Sequence, residues 1–140
     1  MTIPLATALK LAQAAFAEGE AQGVANMTVV VTDPGGEVRL AMRADGQGLF
    51  GVDTALGKAR TALGFNRSSL ALSKIFTNPC AVAAIAAATG GRFVPLGGGV
   101  VVRDAGGAIV GAAAVSGGLP DVDETIIVKA IEFVGLSAQL

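Results

Sequence analysis

Four groups of residues carry the chemistry this chain could do. Lys58 stands inside "ALGKARTAL". A desolvated lysine amine acts as a base, and a charged one holds an anion; a plain surface lysine is the competing reading. Asp123 falls in "PDVDE" at the start of an apolar-periodic segment, where Asp121 would satisfy the helix dipole and Asp123 would be free for acid–base work. Ser116, Gly117 and Gly118 close the run "AIVGAAAVSGG". A hydroxyl followed by flexible backbone N–H donors suits a carboxylate or enolate oxygen. Gly97, Gly98 and Gly99 precede the valines of "LGGGVVV". Consecutive glycines form an anion-binding concavity or a bulge between strands, and the run itself allows both.

What is missing narrows the chemistry further. The 140 residues include no histidine and one cysteine, Cys80. Histidine-based zinc sites, Ser-His-Asp triads and thiolate metal clusters are therefore excluded, no metal site is expected, and no internal disulfide can form. "GVDTALGKA" is close to a phosphate-binding loop but is one residue too long and has Ala59 where Ser or Thr is required. Cys80 reads as a small buried residue near a helix start, and Met27 and Met42 as core filling. Arg60, Arg67 and Lys74 read as solvated charges.

The elements that must position these residues follow from periodicity and turn chemistry. Residues 4–22 read as a helix with Leu5, Leu9, Ala12 and Phe16 as its apolar stripe. "MTVVVT" and "EVRLAMR", joined by "DPGG", form a hairpin. Helices follow over 52–65 and through "SSLALSKIF". Another runs through "NPCAVAAIAAATGG", with Asn78 as cap and an alanine content that implies close packing on a partner. "RFVPL" reads as a short edge strand, and "VVVR" and "AIVGAAAVS" flank the turn "DAGG". The last helix begins at "PDVDE", where Asp121 and Glu124 have capping-box spacing. The sum is one α+β domain spanning 1–140, an antiparallel sheet of about five strands with helices packed on it.

Composition bears on partners. Hydrophobic residues make up 52% and charged residues 15%, against roughly 25% charged in a typical domain. The longest apolar run, Cys80–Ala88, is far short of the about 20 residues of a membrane span, so a homo-oligomer explains the low charge better than a membrane does. The N-terminus lacks the layout of a signal peptide, and a cytoplasmic location is expected. Ten basic against eleven acidic residues, with no basic block and no Trp or Tyr, leave nucleic-acid binding without support.

"ADGQGLFGVDTALGKARTALGF" together with "GGRFVPLGGGVVV" and "GGAIVGAAAVSGGLPDVDE" resembles the GlcG/HbpS-like family, which includes the C-terminal domain of PduO-type proteins. The resemblance covers nearly the whole chain. It implies a profilin-like five-stranded antiparallel sheet flanked by helices, and oligomers built on dimers. It also implies heme binding or degradation, which is the label many members carry. The matched positions are Asp45, Gly46, Lys58, Thr61, Ser68, Gly97–Gly99, Ser116–Gly118, Asp121, Asp123 and Glu124. Without histidine, a heme axial ligand here would have to be Met, Cys, Lys or water.

Three readings compete. One is an oligomeric pocket protein for a small anionic metabolite, with cofactor-independent isomerase or lyase chemistry. Lys58, Asp123 and Ser116 would be its catalytic residues. Gly97, Gly98, Gly99, Gly117, Gly118, Thr61 and Glu124 would line its ligand site. The second is heme or another tetrapyrrole, and the third an accessory subunit with no ligand. The first requires Lys58 and Asp123 to meet in one cavity.

Overall fold

The computed structural model describes residues 1–140. Helix α1 (Leu5–Ala21) is followed by β1 (Thr28–Thr32) and β2 (Val38–Arg43), then α2 (Gly51–Phe65), α3 (Ser69–Ile75) and α4 (Pro79–Ala88). The chain closes with β3 (Gly99–Arg103), β4 (Ile109–Ser116), α5 (Pro120–Phe133) and β5 (Ser137–Gln139). The strands form one antiparallel sheet in the order β2-β1-β4-β3-β5.

Strand alternation sorts the core into two layers. Val29, Val31, Val100, Val102, Ala113 and Val115 face α1 and α5, where Leu11, Ala12, Ile127 and Ile131 meet them. Val30, Ala112 and Ala114 face the other way and pack on Ala55 and Ala59 of α2. The central strands are buried on both faces, which is why they read as continuous valine and alanine runs. Small residues on α2 and β4 let the helix lie close to the sheet. At Gly57, where a side chain would collide with Val94, the same economy admits the loop that follows α4.

Several local expectations change. "RFVPL" is no strand: Val94 N–H donates to Thr61 Oγ1 at 2.7 Å, so the segment is tied to α2 and never reaches the sheet. The fifth strand is instead Ser137–Gln139, paired with β3 after a turn at Gly135, whose φ is +80°. In α1 the buried face is Ala8, Leu11, Ala12 and Ala15, while Leu5 and Leu9 are exposed: small residues allow α1 to approach α5 and the sheet. The capping box at Asp121 and Glu124 does not form. Pro120 takes the first helical position of α5, so the helix starts with Leu119 as its cap residue and no side-chain cap. Cys80 is exposed, because α4 buries none of its residues in this chain. Asn78 does cap α4, its side chain accepting from Cys80 N–H at 2.9 Å. No helix is long and apolar enough to cross a membrane.

Candidate functional site

Lys58 and Asp123 come from opposite layers and meet at the end of the sheet. Lys58 projects from α2 and Asp123 from α5, and Nζ lies 3.3 Å from Oδ2. Both side chains are almost fully buried, at 5% and 1% exposure. Lys58 Nζ also donates to the Val115 carbonyl at 3.1 Å. Asp123 Oδ1 accepts from Gly118 N–H at 2.8 Å, which leaves Oδ2 for the lysine. A lysine ammonium has three donors, so one remains beyond the two named partners. Burial pushes the Lys58 amine below its ordinary range, with Asp123 opposing that shift. Burial likewise raises the Asp123 carboxyl, opposed by Lys58 and by the backbone N–H groups of Gly118 and Gly117.

The glycine run explains how the pair can form. Gly98 has φ +126°, and a Cβ there would lie 2.5 Å from the Val115 carbonyl oxygen, 3.0 Å from Asp123 Cβ and 3.2 Å from Lys58 Nζ. A side chain at this position would occupy the gap through which lysine and aspartate reach each other. Gly99 is pressed against the Lys58 backbone, and its N–H donates to Ser69 Oγ at 2.8 Å. Gly97 abuts Pro120 and Leu70. The three glycines stand behind the ion pair and make room for it.

In front of the pair opens a cleft of about 480 Å³. Lys58, Asp123, Ser116, Gly117 and Gly118 line it, together with Phe50, which precedes α2, and Gly51 and Thr54 in its first turn. The loop before α2 forms one wall and is tethered by Gln47, whose Nε2 donates to the Ser116 carbonyl at 2.9 Å. Leu49, Phe50, Leu96 and Leu119 are exposed; the first three line the cleft, and Leu119 adjoins its Gly118–Pro120 wall. Gln47, Thr54 and this apolar rim were not singled out from the sequence. "GQGLF" held the only signal for the rim, two large apolar residues in a glycine-rich turn.

Other sequence candidates lie elsewhere. Gly97–Gly99 do not line the cleft. Thr61 sits one turn beyond Lys58, on a second cavity of about 320 Å³ with Arg60 and Phe93, where its hydroxyl accepts from Val94. Glu124 is half-buried on α5 outside the cleft, with Oε1 lacking a partner. Ser68 caps α3, accepting from Ala71 N–H. Gly46 packs against Asn26, and Asp45 and Asp121 are outside the cleft. Arg60 is not free in solvent: its Nε donates to the Gly36 carbonyl.

The model of a family described as "Haem degrading protein HbpS-like" matches residues 3–132. The chain belongs to the HbpS-like family. A solved structure of Streptomyces reticuli HbpS, a double mutant, is 30% identical, with 96% of this chain and 87% of that one covered at a TM-score of 0.78. A crystal structure of a PduOC:heme complex is 23% identical, with both chains fully covered at a TM-score of 0.87. ORFY of Klebsiella pneumoniae shares 24% identity over 96% of this chain and 92% of that one, with a TM-score of 0.86. Below 25% identity these last two likenesses speak for the fold alone. No curated protein matches this chain.

Proposed function

We propose that this HbpS-like chain binds a small carboxylate- or enolate-bearing metabolite in the cleft and moves a proton on it without a cofactor, as an isomerase or lyase. The observation that supports this is the buried Lys58–Asp123 pair at the cleft base, 3.3 Å apart and open on one side. Lys58 supplies a cationic donor to a developing oxyanion, and Asp123 exchanges a proton with the carbon acid. Ser116 and the first turn of α2 add polar groups, and the helix dipole there favours an anion. Leu49, Phe50 and Leu96 cover the apolar part of the ligand and exclude water.

A second reading is heme, favoured by the family and by the exposed apolar rim. The residues present do not fit a heme held through its iron by histidine, cysteine or methionine. There is no histidine, Cys80 is exposed on α4, and Met27 is fully buried beneath Gly19. No cysteine or methionine sulfur lines the cleft, and Lys58 Nζ is its one basic side-chain nitrogen.

The reading includes self-association. α4, "PCAVAAIAAA", has no charged residue and no fully buried one within the chain, as suits a helix covered by a second copy. Native mass spectrometry of the purified full chain tests both points at once. An oligomer that is bare or carries an organic acid is the expected result. A stoichiometric tetrapyrrole overturns the anion reading, and a monomer overturns the role given to α4.

A further inference from the structure

We propose that the cleft takes a small 2-oxo acid and that the Lys58 amine condenses with its ketone carbon to form a protonated imine. This rests on the anion-site reading above and narrows it to one substrate class and one covalent step.

Three features of the geometry carry the inference. First, Lys58 and Asp123 both line the cleft, and the Val115 carbonyl and Asp123 Oδ2 take two of the three ammonium donors, which leaves one for a ligand. Second, Asp123 is itself anchored, with Oδ1 occupied by Gly118 N–H, so Oδ2 alone exchanges protons with the lysine. Third, Thr54 lies one helical turn before Lys58 on the same cleft wall. Helix side chains lean toward the N-terminus, so the lysine amine and the Thr54 hydroxyl address the same part of the cleft. A carboxylate held by Thr54 and the start of α2 places the adjacent ketone at the amine. A 2-oxo acid has these two groups on neighbouring carbons. Its remaining substituent meets Phe50 and Leu96.

The proton balance closes within the pair. Asp123 Oδ2 takes one proton from the ammonium, and rotation about the Cε–Nζ bond turns the freed lone pair to the ketone. The Nζ–C bond forms, the carbonyl electron pair moves to oxygen, and that oxygen takes the proton from Asp123. Asp123 then removes a second proton from nitrogen and returns it to the hydroxyl as the C–O bond breaks. Water leaves, and the cationic imine faces the Asp123 carboxylate, so the charge of the pair is the same before and after the step. Burial that favours the uncharged amine and carboxyl also favours the first transfer.

The test is borohydride trapping on the full chain, with pyruvate as the probe and peptide mapping as the readout. Lys10, Lys74 and Lys129 are exposed and act as internal controls. The expected result is a reduced adduct confined to Lys58, absent in Lys58→Arg, and formed roughly 10²-fold more slowly in Asp123→Asn. Adducts spread evenly over the exposed lysines, or no adduct at all, overturn the imine. Exchange of the pyruvate methyl protons in D₂O is followed in parallel by NMR. Exchange without trapping overturns the imine and retains proton transfer through the pair. Neither exchange nor any pyruvate-induced shift overturns both readings.

Discussion

The Lys58–Asp123 pair makes a quantitative prediction about stability that can be tested before any ligand is known. Lys58→Met leaves the Asp123 carboxyl buried without its cation, and Asp123→Asn leaves the ammonium buried without its anion. Breaking a buried pair from one side costs about 3–5 kcal/mol. Total stability for a domain of this kind is about 5–15 kcal/mol, so each single variant loses a large fraction of it. Tm should fall by roughly 6–20 °C, taking about 2–4 °C per kcal/mol at this chain length. The double variant behaves differently. The amide oxygen introduced by Asp123→Asn would still accept from Gly118 N–H, and its NH₂ would be available to the Val115 carbonyl. The unbranched, apolar side chain introduced by Lys58→Met would fill the lysine channel. Its loss should fall short of the sum of the singles by about 3 kcal/mol or more. Urea denaturation of the four proteins at neutral pH measures this coupling. Single variants within about 1 kcal/mol of the parent, or losses that simply add, would refute the claim that these two groups depend on each other in the folded state.

Two further outcomes follow from the same site. Asp123 has a folded pKa raised above its ordinary 3.8, so its contribution is fully present below that value and is lost as pH rises through the raised pKa. Lys58 is lowered from 10.5, so its contribution grows as pH climbs from its folded pKa toward 10.5. The parent should therefore show a shallow stability minimum between these windows in denaturant midpoints, and the Lys58→Met, Asp123→Asn double variant should lose it; identical pH profiles would contradict the assignment. Gly98→Ala should cost at least about 2 kcal/mol, combining positive-φ strain with overpacking against a backbone carbonyl, and lower Tm by about 4 °C or more. A neutral effect in calorimetry would mean that Gly98 is not the gap through which the pair meets.

Much of the architecture was legible in local chemistry. "DPGG" and "DAGG" announce their hairpins because Asp33 and Asp104 side chains accept from backbone N–H groups within the turn. Asn78 and Pro79 mark the start of α4 by the same kind of short-range bond. One edge of the sheet, β2, was legible as the return strand of the first hairpin, and the other was not. Ser137–Gln139 is three residues without alternation, and it is a strand only because β3 presents an unpaired edge to it. "RFVPL" has strand-like composition, yet Thr61 claims its backbone donor.

The sequence alone determined the inventory: no histidine, one cysteine, a lysine and an aspartate in separate helices, and glycines at two strand ends. These limits hold in any conformation, since they count donors, acceptors and titratable groups. Sequence also placed the central strands and the hairpins, which depend on periodicity and on contacts a few residues apart. Only the tertiary structure decided that residues 65 positions apart share one buried ion pair. It also decided that Gly97–Gly99 serve that contact by leaving space, with the open cleft lined by Ser116–Gly118 on the other side. A glycine's missing side chain is a local fact, but what fills the gap is set by the long-range packing of α2 and α5 around the end of β4.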